Sequence, residues 1–514
     1  MLKYILTVFG CLIVTLSIGQ LGQSIQTNTI VDSVTTYKPI AKTGIQFKLL
    51  PIVNKLQYVG DHPYDWNDGV MIPAKGWQQY LNAGINFKWK QFELQMAPEF
   101  VAAQNLNFEG FGADMDEIQW RDYYRFQNFI EQPQQFGNGQ YTHLFFGQSF
   151  LKYNFKNTSI SLSTANLWWG PTKRNALIMS NNAGGFPHVS IANKKPVQTK
   201  IGTFNYQFVW GLLKNGNWQP PQPTKTYRGN KLYVPKPDTS RMFQGFNINY
   251  TPKWFKNLTV GVAQSFVQYT NQVAGIMQYV PIKNIVHRLP NDLPNKPIIL
   301  TAFNFNYQLP AANANFYGEF GWNLNQTTSR NFMLQPDKGI ASVLGFSKIF
   351  PTTQKHYWEF LAEMANLQLQ TRAEQFSSGA PPSWYLGADV VQGYTHNGQI
   401  LGAGIGPGAT SQTIELNWRK AKNRIGLSAE RRLHNNDFYV FSFTNSGDFR
   451  RWYVDFATTL KIDWTFGRWD LSPRLSYIQT NNYNWSLFQP QEIYFIPGKD
   501  KQQFMGQLNF TYHL

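Results

Sequence analysis

The sequence predicts an all-β fold, a transmembrane antiparallel β-barrel of the outer-membrane type. Three observations predict it. Apolar and polar residues alternate with a period of two in segment after segment, tight turns alternate with long polar loops, and the chain ends on an aromatic, alternating strand.

Composition points the same way. A length of 514 residues normally suggests several domains, yet no linker, low-complexity run or composition shift follows the N-terminus. A large barrel lets such a length remain one domain. The chain carries 40 Phe, 26 Tyr and 17 Trp, with only 15% charged residues and a mean hydropathy of -0.38. That is odd for a soluble enzyme and suits a barrel with one apolar and one wet face. The net charge of +17 favours anionic partners such as acidic polysaccharide or lipopolysaccharide phosphate. The basic residues are scattered, which argues against nucleic acid.

The N-terminus reads as an export signal. Lys3 supplies the positive region, Tyr4 to Ile18 the apolar region, and Ser17-Ile18-Gly19 a small-residue cleavage pattern. The expected division is therefore a signal peptide over 1–19 and a single barrel domain over 20–514 with long extracellular loops. Cys11, the only cysteine, leaves with the signal and sits too early for a lipoprotein anchor. No later stretch reaches the roughly 18 apolar residues of a membrane-spanning helix, so the route into a membrane is a closed barrel.

Along the chain, Ile85, Phe87 and Trp89 alternate with Asn86, Lys88 and Lys90, and Phe92, Leu94 and Met96 with Glu93 and Gln95. The pattern recurs at Phe204–Trp210, Phe246–Tyr250, Phe303–Tyr307 and Ile414–Trp418. A soluble sandwich could alternate too. The polar face here carries Asn, Gln, Lys, Glu and Arg, as a wet lumen does, and the apolar face is aromatic near strand ends, as membrane girdles are. Tight turns fall near 156–158, 422–423 and 467–468. Long loops fall near 105–140, 166–197, 213–240, 268–296, 323–338 and 372–412. No amphipathic helix is read between the strands. At the end, Phe504, Gly506, Leu508, Phe510, Tyr512 and Leu514 share one face, a strand similar to those read by the barrel assembly machinery. Leu514 stands where Phe is usual.

The least generic run is 166–188, with Trp168-Trp169-Gly170-Pro171, the basic pair Lys173-Arg174, and Asn181-Asn182 before Gly184-Gly185. It offers stacking surface, amides and positive charge, the chemistry of carbohydrate binding and also of an ordered loop. Candidate polysaccharide-binding residues are Trp168, Trp169, Lys173, Arg174, Asn175, Asn181, Asn182 and His396. Aromatics stack on sugar faces, the cations hold carboxylates, and amides offer donor and acceptor together. Each has a structural alternative: barrel anchoring or lumen plugging for the tryptophans, solvated loop or lipopolysaccharide contact for the cations, turn formation for the asparagines. His188 and His396 lack metal spacing. Asp65, Asn67 and Asp68 lack that of a calcium loop. No cofactor or metal is expected. Glu359 and Glu363 share a strand face and could suggest a glycosidase pair; paired charges in a polar lumen explain them better.

Three runs resemble the Wzi family of outer-membrane capsule-assembly proteins: 62–76 continuing to Ala97-Pro98-Glu99-Phe100; Trp168-Trp-Gly-Pro171 with 177–183 and Phe186-Pro187; and 393–402 with Gly406-Pro407-Gly408. The resemblance implies a barrel of about eighteen strands, a size within the known range, and a small periplasmic helical element. It implies extracellular loops acting as a lectin for capsular polysaccharide, without enzyme activity. Residue chemistry alone leaves three readings: a polysaccharide-binding protein assisting attachment or assembly at the cell surface, a porin-like channel, and an outer-membrane lipid or glycan hydrolase. The lectin should have a plugged lumen, and the porin an open one.

Overall fold

The structure, a computed structural model, describes residues 38–39 and 44–514, apart from 65–66, 113–114, 274–295, 324–338, 353–355, 370–380, 382, 445–449 and 488–497. The expected signal peptide lies outside these residues, as do Asp65 and most of the loops expected at 268–296 and 323–338.

The described residues form eighteen antiparallel staves. The first four are each built from two strand segments: Ile45–Leu49 with Ile52–Val59, Gly76–Asn82 with Ile85–Trp89, Phe92–Met96 with Glu99–Ala103, and Tyr141–Phe145 with Phe150–Phe155. Pro51 and Pro98 sit at two of the breaks, where a residue without an N–H cannot continue the ladder. Thr158–Ser163 and His188–Asn193 follow. Twelve unbroken staves then run from Gly202–Leu213 to Lys501–Tyr512. The last pairs with the first, from Tyr512 opposite Ile52 to Met505 opposite Val59, so the sheet closes and has no seam.

Alternation sets the facing of each stave. Ile414 and Leu416 point outward at 55% and 44% exposure, while Thr413, Glu415 and Asn417 are buried inside. On the final stave Phe504 faces out, and Gln503, Met505 and Gln507 face in. Aromatic pairs gather at the tight-turn end, with centroids 5.0 Å apart for Phe92 and Tyr153 and 4.6 Å for both Phe204–Tyr250 and Trp469–Tyr512. That is the girdle expected where the apolar band meets water. Turns at 90–91, 156–157, 421–422 and 467–468 mark the periplasmic end, and the long loops leave from the other.

Two staves are short. Thr158–Ser163 and His188–Asn193 have six residues each, against 10–13 in the twelve unbroken staves that follow. The chain leaves the wall early at Ser163, where the Thr164 N–H donates to the Ser149 carbonyl at 2.9 Å. The loop 164–187 therefore starts already below the rim and folds inward.

The two α-helices among the described residues, α1 (Glu117–Gln127) and α2 (Asn436–Ser442), lie in long loops, at the end opposite the tight turns. The helical element implied for the periplasmic end is not among them, and the reading without helices between strands is corrected. Helix α1 opens on a capping box: the Asp116 carboxylate accepts from Ile118 N and Gln119 N, and the Gln119 side chain accepts from Asp116 N. Trp120, Tyr123 and Tyr124 then fall on one buried face at helical spacing. The helices meet ring to ring. Phe126 lies 5.6 Å from Phe438, Phe111 stacks on Tyr123 at 4.2 Å, and Phe438 abuts Trp485 at 4.7 Å. This aromatic cluster joins the two helix-bearing loops at the outer end.

Asp437 ties α2 to the loop before it. Its Oδ1 accepts from Leu369 N at 2.9 Å and its Oδ2 from Ser383 Oγ at 2.6 Å. Burial pushes this carboxyl up to about 7, against the opposing pull of both bonds, from an ordinary 3.8. A carboxyl raised in the folded state contributes stability that is full below its ordinary value and is lost as pH rises through about 7. Protease cleavage within 367–369 and 436–443 is expected to accelerate between pH 5 and pH 9, and Asp437→Asn to remove that dependence. A flat pH profile in the unsubstituted protein would contradict the assignment.

Candidate functional site

The loop 164–187 crosses the lumen and touches opposite walls. On one side the Trp169 indole N–H donates to Gln207 Oε1 at 2.8 Å, and its ring packs where a Cβ on Gly245 would lie 2.7 Å away. On the other side lie Glu319, Glu363, Ser411 and Glu430. Six staves are thus bridged by one loop.

Two lumenal carboxylates hold it. Glu363 accepts from three consecutive backbone N–H groups: Lys173 N to Oε2 at 2.8 Å, Arg174 N to Oε1 at 3.1 Å, and Asn175 N to Oε1 at 2.9 Å. The Tyr317 hydroxyl also donates to Oε2, at 3.2 Å. Successive N–H groups converging on one point form an anion nest, and the carboxylate occupies it. Glu319 accepts from Thr172 Oγ1 and Leu177 N, both at 2.9 Å. Gly170, at φ +109°, passes so close that a Cβ would lie 1.9 Å from Glu319 Oε1, so no other residue fits there. The Arg174 guanidinium donates to Glu430 at 2.5 Å, and Thr413 donates to the same oxygen at 3.0 Å.

A second segment, 383–409, packs on the first. The Tyr385 hydroxyl donates to the Leu177 carbonyl at 2.9 Å and the Tyr394 hydroxyl to the Ile178 carbonyl at 3.0 Å. Ser180 Oγ donates to the Gly402 carbonyl at 2.6 Å. Arg241, fully buried, donates to the Gly393 and Lys214 carbonyls at 2.9 and 3.0 Å. Together the two segments fill the outer part of the lumen. Nearer the periplasm the lumen is lined by ion pairs: Arg419 with Glu359 at 2.6 Å, Lys461 with Glu415, and Arg424 with Asp463 at 2.7 Å.

A profile for capsule assembly protein Wzi matches residues 74–484. The chain belongs to the Wzi family. In fold it is similar to Wzi of Escherichia coli, described as an outer membrane protein involved in group 1 capsule assembly and a carbohydrate-binding β-barrel. The TM-score is 0.56 at 12% identity, covering 90% of this chain and 85% of that one. OccAB2 of Acinetobacter baumannii aligns over 91% of this chain and 97% of its own, at 11% identity and a TM-score of 0.42. No curated protein matches the sequence. The chain is an integral outer-membrane barrel.

The sequence-predicted residues lie mostly inside this Wzi-family plug. Trp169, Asn175 and His396 are buried, so as placed they support the plug and present no surface to a polymer. Asn175 Nδ2 donates to Ser411 Oγ at 3.3 Å, and His396 Nδ1 accepts from Lys214 N at 3.1 Å. Burial lowers the His396 imidazole to about 3, so it is neutral. Trp168, Lys173, Arg174, Asn181 and Asn182 are half-buried. Lys173 Nζ lies 5.7 Å over the Tyr317 ring. Asn181 offers its carbonyl to Gly69 N at 2.7 Å, and Asn182 Nδ2 donates to the Ile400 carbonyl at 2.8 Å. His188 bonds the Phe186 carbonyl at 2.7 Å. The Glu359–Glu363 pair divides: Glu359 serves the lumenal ion pair and Glu363 the loop.

Sequence reasoning passed over a cleft among the outer loops. It encloses about 270 Å³ between the C-terminal end of α1 and the loops 215–220 and 233–236. Half-buried Trp218 and Tyr233 line it, with Glu131, Lys236 and the amides Asn215 and Asn217. The available signal was Asn215-Gly-Asn-Trp-Gln-Pro-Pro221, a turn-rich run carrying one aromatic.

Replacing Glu363 by Ala leaves three loop N–H groups without their acceptor, at about 1–3 kcal/mol for each one that stays unpaired. Amide exchange across 167–182 is expected to quicken strongly in Glu363→Ala and less in Glu363→Gln, which keeps one acceptor oxygen. Glu359→Gln should leave it unchanged. Equal protection in all three would contradict the latch.

Proposed function

We propose that this barrel binds an anionic polysaccharide at its outer face and assists its attachment or assembly at the cell surface. The observation that carries the reading is the occupied lumen. A diffusion channel needs a continuous aqueous path, whereas two interlocked segments here span the barrel from wall to wall. What remains for recognition is the outer loop surface, broad, aromatic and polar. Membership of the Wzi family and the fold shared with a carbohydrate-binding barrel support the same role.

The role is one of binding. The carboxylate nearest to a hydrolase arrangement, Glu363, is committed to backbone N–H groups. The candidate residues of 168–182 and His396 act in this reading as the foundation of the binding face, holding the loops that form it. The net charge of +17 suits an acidic polymer and the phosphates of neighbouring lipopolysaccharide. The final stave, Lys501–Tyr512, which closes the wall, is the segment we assign to the barrel assembly machinery.

Deleting the protein should shift surface polysaccharide from the cell-bound to the culture-released fraction with total synthesis unchanged. Undiminished cell-bound polymer would overturn the attachment role.

A further inference from the structure

The cleft beside α1, among the outer loops, has the parts of a sugar site. Its aromatic wall is built. The Trp218 indole is seated on glycines: a Cβ on Gly216 would lie 2.4 Å from the ring, and one on Gly137 or Gly398 would lie 3.0 Å away. Phe136 and Tyr141 hold its edge at centroid distances of 5.8 and 6.0 Å. Tyr233 is the second aromatic, positioned by Tyr124 at 6.2 Å.

The polar groups are equally fixed. Glu131 Oε1 accepts from Gly216 N and Asn217 N, both at 2.7 Å, which ties the Trp218 loop to the end of α1. Its Oε2 lies 4.0 Å from the Arg241 guanidinium and accepts no hydrogen bond among the described residues, and neither does Asn215 Oδ1. Trp218 Nε1 likewise donates to none among them. Lys236 Nζ donates to the Gln127 carbonyl at 2.7 Å. An ammonium has three donors, so it retains capacity for a ligand oxygen. Aromatic faces for the apolar side of a pyranose, a carboxylate and amides for hydroxyls, and a cation occur together here. At about 270 Å³ the cleft has room for a sugar ring.

We propose that this cleft is the subsite that takes one acidic pyranose of the bound polysaccharide, with Trp218 and Tyr233 packing on the ring and Lys236 facing its carboxylate. The assignment rests on the polysaccharide-binding reading above.

The test uses the full-length barrel in detergent and the polysaccharide purified from the same strain, native and after reduction of its carboxyl groups, with calorimetric binding as the readout. Trp218→Ala and Tyr233→Ala should each weaken binding by about tenfold or more, as truncated aromatic anchors do, and Trp218→Phe should restore most of it. Lys236→Gln should abolish the preference for native over reduced polymer. Tyr233 and Lys236 are only half-buried, so those two variants decide the matter if Trp218→Ala fails to fold. Unchanged affinity and preference in folded variants would overturn the subsite while leaving the function intact. Absence of binding by the unsubstituted protein would overturn both.

Discussion

The hydrogen bonds from three successive backbone N–H groups to the Glu363 carboxylate are the constraint on which the interior depends. A loop crossing a barrel buries polar backbone away from both water and the sheet ladder, and each unpaired group is costly. Residues 173–175 solve this by converging on one charged acceptor supplied by the wall. With Glu319 taking Thr172 and Leu177, the turn is pinned at both ends. The aromatic segment 383–409 can then pack on it, because the carbonyls of Leu177 and Ile178 are presented in fixed positions to Tyr385 and Tyr394.

The short staves make this possible. A wall of uniform height would deliver the chain to the rim, and a loop starting there would need a long descent to reach Glu363. Leaving at Ser163 places Trp169 against Gln207 and Gly245 within six residues. The barrel thus accepts two truncated staves, and the hydrogen bonds among Thr164, Gly147 and Ser149 close the wall below the exit. The consequence is a division of labour within the fold: the wall faces lipid, the two inner segments brace it from within, and the long loops stand at the outer end.

The fold was legible because its dominant signal is local. Period-two alternation assigns each stave residue to lipid or lumen, as Phe504 and Gln503 illustrate, and tight turns reveal which end is which. Helix α1 was equally local and was passed over: Asp116-Glu-Ile-Gln119 is a capping box, and Trp120, Tyr123 and Tyr124 follow at helical spacing. Against a background of alternating aromatics, that change of period is easy to miss. The site was less legible for a physical reason. The distinctive run 166–188 announced an ordered loop, and Trp169 faces the interior as strand parity allows. Its anchors, however, are backbone groups bonded to a residue 190 positions away, and nothing in local sequence encodes that meeting. The basic pair drew attention through its side chains, while the N–H groups of those same residues carry the latch. The cleft at Trp218 is assembled from three loops and is visible only once they are brought together.

The most direct test of a sealed, surface-binding barrel is ion conductance of the purified protein in planar bilayers. A lumen filled by two interlocked segments predicts no steady conductance above the bare membrane across the voltage range in which barrels remain stable. A stable open conductance of porin magnitude in the unsubstituted protein would contradict the plug, and with it the argument that recognition is confined to the outer face.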